Sequence, residues 1–345
     1  MRRGLLALLL VLGLAPAYAQ APAPDEVAAF YRGRQVRLVV GTAPGGLYDL
    51  AARIVARHIG AHIPGNPTVI VQNLPAAGGL AMTNQLYAQD PKDGTAIGVP
   101  INGIPTMPLI QPAGVQFDAN RLIWIGSTNR EPYVAFVWHT APVQSLDQLK
   151  SKELVVGSTT PGTTMSDFPA VTNAILGTRF RVVRGYEGTP QINHAIERGE
   201  IQGQGGIGWA AIKAQVPQWI ADRKIKVIAQ YGLKRHPELA EVPSMIELAT
   251  SDADRAALTM IVGRTEYGRP YFLPPDVPAA RVEALRRAFD LTMREPAFVA
   301  DAAKLQLEID PMTGEQVQAL VAQLSRTPAE IVTRVRAALE APAGR

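Results

Sequence analysis

The chain has no cysteine, few aromatic residues (6%), little charge (19%) and almost no excess of either sign. Without thiols there is neither a disulfide framework nor a Cys-ligated zinc or iron–sulfur site. The formal net charge of +4 spread over 345 residues offers no basic patch of the kind that neutralises phosphates, so nucleic acid is not an expected partner. An apolar content of 47% is too high for a disordered polymer and suits a chain long enough to bury a full core. Beyond the first residues no apolar run approaches the roughly 20 residues of a membrane span. Enzyme signatures are also missing: there is no Gly-x-Ser-x-Gly elbow and no Cys nucleophile.

The N-terminus reads as a leader. Arg2 and Arg3 precede the apolar residues 5–14, and Ala17-Tyr18-Ala19 fits the small-residue cleavage rule of a secretory signal peptide. Residues 1–19 are expected to be cut off after Ala19, by the general or the twin-arginine route, leaving a periplasmic protein. The stretch before Pro16 is too short for an anchor.

From there, short apolar runs alternate with helical periodicity. Val36-Arg-Leu-Val-Val-Gly41, Val69-Ile-Val-Gln72 and residues 96–99 predict strands, with helices over residues 50–60 and 80–88 between them, the grammar of a parallel sheet with crossovers. Residues 154–157, 180–183 and 226–229 repeat it, with helices over 166–176 and from Thr189-Pro190 to Gly199. The apolar segment Tyr133–Trp138 reads as an extended connection between the two units. Capping signals at Thr313-Gly-Glu-Gln316 and Thr327-Pro-Ala-Glu330 mark a helical C-terminal third, expected to pack back on the first unit. The expected architecture is α/β with two lobes: residues 20–132 and 231–345 in the first, 133–230 in the second, and a cleft between them.

Two loops carry the chemistry. Thr42-Ala-Pro-Gly-Gly-Leu-Tyr-Asp49 and Gly157-Ser-Thr-Thr-Pro-Gly-Thr-Thr164 each join a strand to a helix N-terminus, where unpaired amides and the helix dipole favour an anion. The second mimics a P-loop, but Thr163 stands where the phosphate-binding Lys belongs, which argues against nucleotide hydrolysis. Other readings are weaker. His58 and His62 have the spacing of a zinc pair without the Glu of a zinc protease, and surface histidines account for them better. Asp49 reads as a dipole-complementing acid before a general base, and Trp138, Trp209 and Trp219 as core before pocket. No metal or cofactor is expected.

Phe30-Tyr-Arg-Gly33, Val39-Val-Gly-Thr-Ala-Pro-Gly-Gly-Leu-Tyr-Asp49, Val71-Gln-Asn-Leu-Pro-Ala-Ala-Gly-Gly79, Pro91-Lys-Asp-Gly-Thr95, Gly185-Tyr-Glu-Gly-Thr-Pro190, Glu241-Val-Pro-Ser244 and Phe272-Leu-Pro-Pro-Asp-Val-Pro278 follow one another in the chain. In that order they resemble the substrate-binding receptors of tripartite tricarboxylate transporters, the Bug receptors. The resemblance implies a type II periplasmic binding protein-like fold closing on a small carboxylate, held largely by main-chain amides and water between one loop from each lobe, and delivered to the membrane subunits of a tripartite importer. Carried over by position, it points to Thr42, Ala43, Gly45, Gly46, Tyr48 and Asp49 in the first loop and to Ser158, Thr159, Gly162, Thr163 and Thr164 in the second. Asn102, Tyr186 and Gly188 are expected to border the cleft. Side-chain bulk at Gly46 is expected to block the ligand and to force a backbone that only glycine tolerates. The chain departs from the family in offering Gly205 and Gly206 where many relatives have an acid, and Ser166 where they have a His. A monomeric, non-catalytic receptor is expected; a sensor of the same fold or, less well supported, a hydrolase or lyase of small acids are the alternatives.

Overall fold

The computed structural model describes residues 24–340. The predicted leader, and residues 20–23 of the linker after it, lie outside that range. Among the described residues eleven strands form two sheets. β1 (Gln35–Val40), β2 (Thr68–Asn73), β3 (Ala96–Val99), β4 (Ile123–Ser127), β10 (Pro270–Leu273) and β11 (Met312–Thr313) make the first, in the order β11-β4-β10-β3-β1-β2. β5 (Tyr133–Trp138), β6 (Leu154–Gly157), β7 (Phe180–Val183), β8 (Gly203–Gly208) and β9 (Ile225–Tyr231) make the second, in the order β7-β6-β8-β5-β9.

The alternation of side chains along a strand explains why both sheets are covered on both faces. β1 sends Val36, Leu38 and Val40 into one core and Val39 into another. β5 does the same with Tyr133, Ala135 and Val137 on one side and Val134 and Phe136 on the other. Parallel pairs β1–β2, β1–β3 and β6–β7 carry the predicted crossover helices, while β4, β5, β9 and β10 pair antiparallel.

Two findings differ from the sequence expectation. Tyr133–Trp138 is a full strand of the second sheet, paired with both β8 and β9, and the passage between sheets is the short segment 128–132 before it. That passage is bonded to the returning chain: Gly268 N–H donates to Asn129 O (2.9 Å), Glu131 N–H to Thr265 O (3.2 Å) and Thr128 N–H to Arg269 O (3.2 Å). The C-terminal third is also divided. The helices Ala279–Arg294 and Pro296–Lys304 pack with the helix Leu47–His62, and Gly314–Ser325 packs on β4, all on the first sheet. Asp252–Val262 and Ala329–Glu340 instead pack against Thr164–Leu176 on the second. The reason is the apolar stripe each presents: Leu258, Ile261, Ile331, Val332 and Val335 are buried in the core that holds Phe168 and Val171. Burying each such side chain contributes about 1.5–3 kcal/mol.

Candidate ligand-binding site

The first loop ends at the helix Leu47–His62, and Asp49 in its first turn is buried. Asp49 Oδ2 accepts from Gly45 N–H (2.8 Å) and from Arg53 Nε (2.9 Å), and Oδ1 accepts from Asn73 Nδ2 (2.9 Å). Asn73 Nδ2 also donates to Thr42 O (3.0 Å), so β2 and the helix together hold the loop shut around one carboxylate. Burial pushes the Asp49 carboxyl up, but the hydrogen bonds from Arg53, Gly45 and Asn73 outweigh it and the net shift is downward. A carboxylate held in its ionised form by three donors is a scaffold and a poor proton acceptor. Gly45 has φ +84°, the left-handed region that favours glycine. Gly46 does not: it caps the helix in extended backbone (φ −77°, ψ 167°), and a Cβ there would meet only Ala43 O at 3.8 Å. The conformational need for glycine therefore falls on Gly45, against the expectation for Gly46. Ala43, Gly45 and Gly46 are exposed, while the buried Thr42 Oγ1 has no partner among the described residues.

The second loop repeats the device. It leads into the helix Thr164–Leu176, and buried Asp167 accepts from Gly162 N–H (3.1 Å) through Oδ1. Oδ2 accepts from Arg264 Nη2 (2.9 Å), and Arg264 itself is wholly buried with its guanidinium 5.1 Å from the ring centre of Phe168. Gly162 has φ +85°. Two of the expected hydroxyls are engaged within the fold: Thr163 Oγ1 donates to Thr160 O (2.8 Å) and Thr164 Oγ1 to Gly206 O (2.7 Å). Ser158 Oγ, buried, has no partner among the described residues. Tyr186 is brought beside this loop by backbone bonds from Gly185 N–H to Thr159 O (3.0 Å) and from Tyr186 N–H to Ser158 O (3.4 Å). Gly188 caps the next helix, Thr189–Glu197, and a Cβ on it would meet only Pro190 and Gln191.

The loops of the two sheets face each other. A Cβ on Gly103 would stand 2.6 Å from Gly162 O and 3.2 Å from Arg264 Nη1, and one on Gly78 would stand 4.0 Å from Thr160 Oγ1. Leu47 packs into a core of each sheet. Asn102 sits at the centre: its N–H donates to Tyr48 OH (3.1 Å), its Nδ2 to Tyr133 OH (3.2 Å), and Tyr48 OH donates to Gly268 O (2.8 Å). Burial raises the phenol pKa of both tyrosines, so both remain neutral. Beneath them Arg269 Nη2 bonds Glu131 Oε2 (3.0 Å), which also accepts from Asn129 Nδ2 (3.2 Å), a buried pair joining the two chain segments that pass between the sheets.

Both loops and Asn102, singled out in the sequence, lie where the two sheets meet; Asp167, Arg264, Tyr133 and the Glu131–Arg269 pair lie there too and were not singled out. Asp167 had a signal, an acid in the first helical turn after a glycine loop, as at Asp49. Arg264 had none, because its partner is 97 positions away. The remaining candidates lie elsewhere. His58 Nδ1 and His62 Nε2 contact Glu295 (3.0 and 2.9 Å) on the outer side of the first sheet. Trp138 and Trp219 stack edge-to-face at 4.8 Å, and Trp209 joins them in a core of the second sheet.

The sequence profile of the "Tripartite tricarboxylate transporter family receptor" matches residues 51–336. The chain belongs to this receptor family. A curated relative, the UPF0065 protein in the gbd 5′ region of Cupriavidus necator, is 24% identical over 97% of this receptor and 96% of its own length. Among solved structures, the periplasmic binding protein BugD superposes with a TM-score of 0.68 at 22% identity, covering 88% of this receptor and 98% of that chain. A Rhodopseudomonas palustris protein solved with adipate gives 0.66 at 19% (88% and 97% covered), and MatC of the same organism with bound malate gives 0.65 at 17% (89% and 99%). This receptor shares their fold of two αβ lobes.

Proposed function

We propose that this receptor is a periplasmic, non-catalytic binding protein that closes its two lobes on a small carboxylate and presents it to the membrane subunits of a tripartite importer. The observation that carries the reading is the meeting of two strand-to-helix loops, one from each sheet, each pinned by an aspartate. Each leaves a buried hydroxyl, Thr42 Oγ1 and Ser158 Oγ, without a partner among the described residues. Buried polar groups are ordinarily satisfied, and a ligand oxygen between the lobes would satisfy these. First-turn amides and the helix dipoles of Leu47–His62 and Thr164–Leu176 add attraction for negative charge. Relatives solved with malate and adipate fit the same chemistry. The hydrolase or lyase alternative loses Asp49 as its base, since that carboxylate is locked by three donors.

The lobes proposed to move are the two sheets with their helices, turning about the bonded segments 128–132 and 265–269. The test is a melting-temperature screen of the mature protein over small carboxylates, followed by growth of a deletion strain on each acid that stabilises it. A ligand at about 100 times Kd adds roughly 2.7 kcal/mol to stability, an easily read shift. Stabilisation by no carboxylate, or turnover of a bound acid, would reject the reading.

A further inference from the structure

The charges where the two sheets meet do not balance. Arg53 is paired with Asp49, Arg264 with Asp167 and Arg269 with Glu131. Arg184 has no such partner. Among the described residues its guanidinium forms no ion pair and makes a single hydrogen bond, from Nε to Ser166 Oγ (3.1 Å), while Nη1 and Nη2 stay free in an exposed residue. Its place follows from the sheet. β6 and β7 run parallel, so the loops that leave them emerge from the same edge. Ser158 N–H donates to Val183 O (2.8 Å) and Gly185 N–H to Thr159 O, which fixes Arg184 beside the second loop, on the edge where that loop faces Gly78 and Gly103 of the first lobe. Ser166 is buried in the first turn of the helix Thr164–Leu176, so its hydroxyl holds the guanidinium beside the amide end of that helix.

No acid is placed to neutralise it. The second loop has none, and the loop 74–79 opposite Thr160 is uncharged. Asp49 is occupied by three donors, Asp167 by Gly162 N–H and Arg264, and Glu187 accepts from Gln191 Nε2 (3.2 Å). A cation drawn out of water by lobe closure without a counter-charge is costly, and an anion bound beside it removes the cost. We propose that Arg184 supplies the counter-charge for the ligand anion: Ser166 anchors it at Nε, and its Nη groups meet the anion at the second loop, where buried Ser158 Oγ is also without a partner among the described residues. The inference rests on the carboxylate-receptor reading above and adds to it a residue that selects ligand charge. Main-chain amides donate to anionic and neutral oxygens alike, whereas an unbalanced guanidinium favours the ionised acid over its amide.

Calorimetric titration of the mature protein with malate, adipate and benzoate, each beside its neutral amide, tests this. Arg184→Gln should weaken the acid that the unaltered protein binds about tenfold, the scale of one hydrogen bond to a charged group, and narrow the preference for acid over amide. Arg184→Lys should recover most of the loss, and Ser166→Ala, which frees the guanidinium, should cost less than Arg184→Gln. Raising the salt concentration should weaken the unaltered protein more than Arg184→Gln. Because Arg184 is exposed, its variants should melt with the unaltered protein when no acid is present, which separates a binding effect from unfolding. Full affinity in Arg184→Gln overturns the proposal, and so does a loss that Lys does not recover and that leaves the salt dependence unchanged, the mark of a packing role; both leave the carboxylate reading standing. Should none of the three acids bind, those found in the melting screen take their place, and a protein that binds no carboxylate overturns the reading and the proposal with it.

Discussion

The two strand-to-helix loops solve one problem with different degrees of independence. In each, an aspartate in the first helical turn accepts a glycine N–H from the loop that precedes it. Asp49 finds its cation one turn along its own helix, where the Arg53 side chain is 48% exposed. Asp167 finds its cation 97 residues away, with both side chains at 1% exposure or less. The first loop is therefore a local unit that water can repair. The second holds its shape only when the returning chain has brought Arg264 into place, and so its geometry reports on how the lobes and the passage between them are arranged.

The largest break in this comparison should come from Asp167→Asn. It leaves a wholly buried guanidinium unpaired, and removing one member of a buried pair costs about 3–5 kcal/mol; chemical denaturation should show the loss as a lower midpoint. Asp49→Asn should cost less, about 1.5–3 kcal/mol, because Arg53 regains water while the new amide oxygen can still accept from one donor. The two can also be separated by pH. Since the folded carboxyl of Asp49 is held below its unfolded value, its contribution is fully present above the ordinary carboxylate pKa of about 3.9 and is lost as pH falls through the folded value. Asp49→Asn should therefore destabilise at neutral pH and flatten the acid limb of the stability profile. Equal destabilisation at pH 7 and pH 2 would show that the carboxylate is not the group that holds the loop.

How much of this the sequence revealed follows the same divide between local and distant. Strands β3, β6 and β7 were legible to the residue, because a short, mostly apolar run between turn signals leaves little choice, and the Thr313–Gln316 capping box is present in both directions. Both strand-to-helix loops could be read because the strand–glycine–helix order is a local pattern. β4 and β10 were not read as strands: each is short and pairs antiparallel with partners far off in sequence, so neither joins the strand–helix alternation that exposed the others. The helix Ala329–Glu340 has an amphipathic pattern that tells of a buried face without telling which sheet buries it. Arg264 was invisible for the same reason. A buried cation has no periodic signature, and its meaning lies in Asp167, Gly103 and Phe168, which only the fold assembles.

Glycine exchanges sharpen the comparison further. Gly45→Ala places a side chain at φ +84° with open space around it, so its cost should be the left-handed backbone alone, about 1–2 kcal/mol. Gly162→Ala has the same backbone cost and in addition meets Gln111 Oε1 at 3.2 Å and Met107 Cε at 3.3 Å, so it should fall further. Melting curves of the two alanine variants make the measurement. Equal losses would mean that the second loop is no more tightly enclosed than the first.

The smallest stability effect is expected at Gly46, and it is the most informative about binding. The residue is extended, exposed and uncrowded, so Gly46→Val should cost only the N-cap preference of glycine over valine, about 0.5–1 kcal/mol. If a ligand carboxylate approaches the first-turn amides of Leu47–His62, however, a branched side chain at the cap stands in its way. Affinity should then drop by the equivalent of a lost charge-assisted hydrogen bond, about 1.5–3 kcal/mol. Gly45→Ala gives the opposite pairing, a larger loss of stability with the cap position still open. Calorimetry with an acid found in the melting screen, read beside the melting temperatures, separates the two. Should Gly46→Val bind as well as the unaltered protein, the carboxylate does not rest on this helix, and the first loop serves to shape the cleft while the second does the holding.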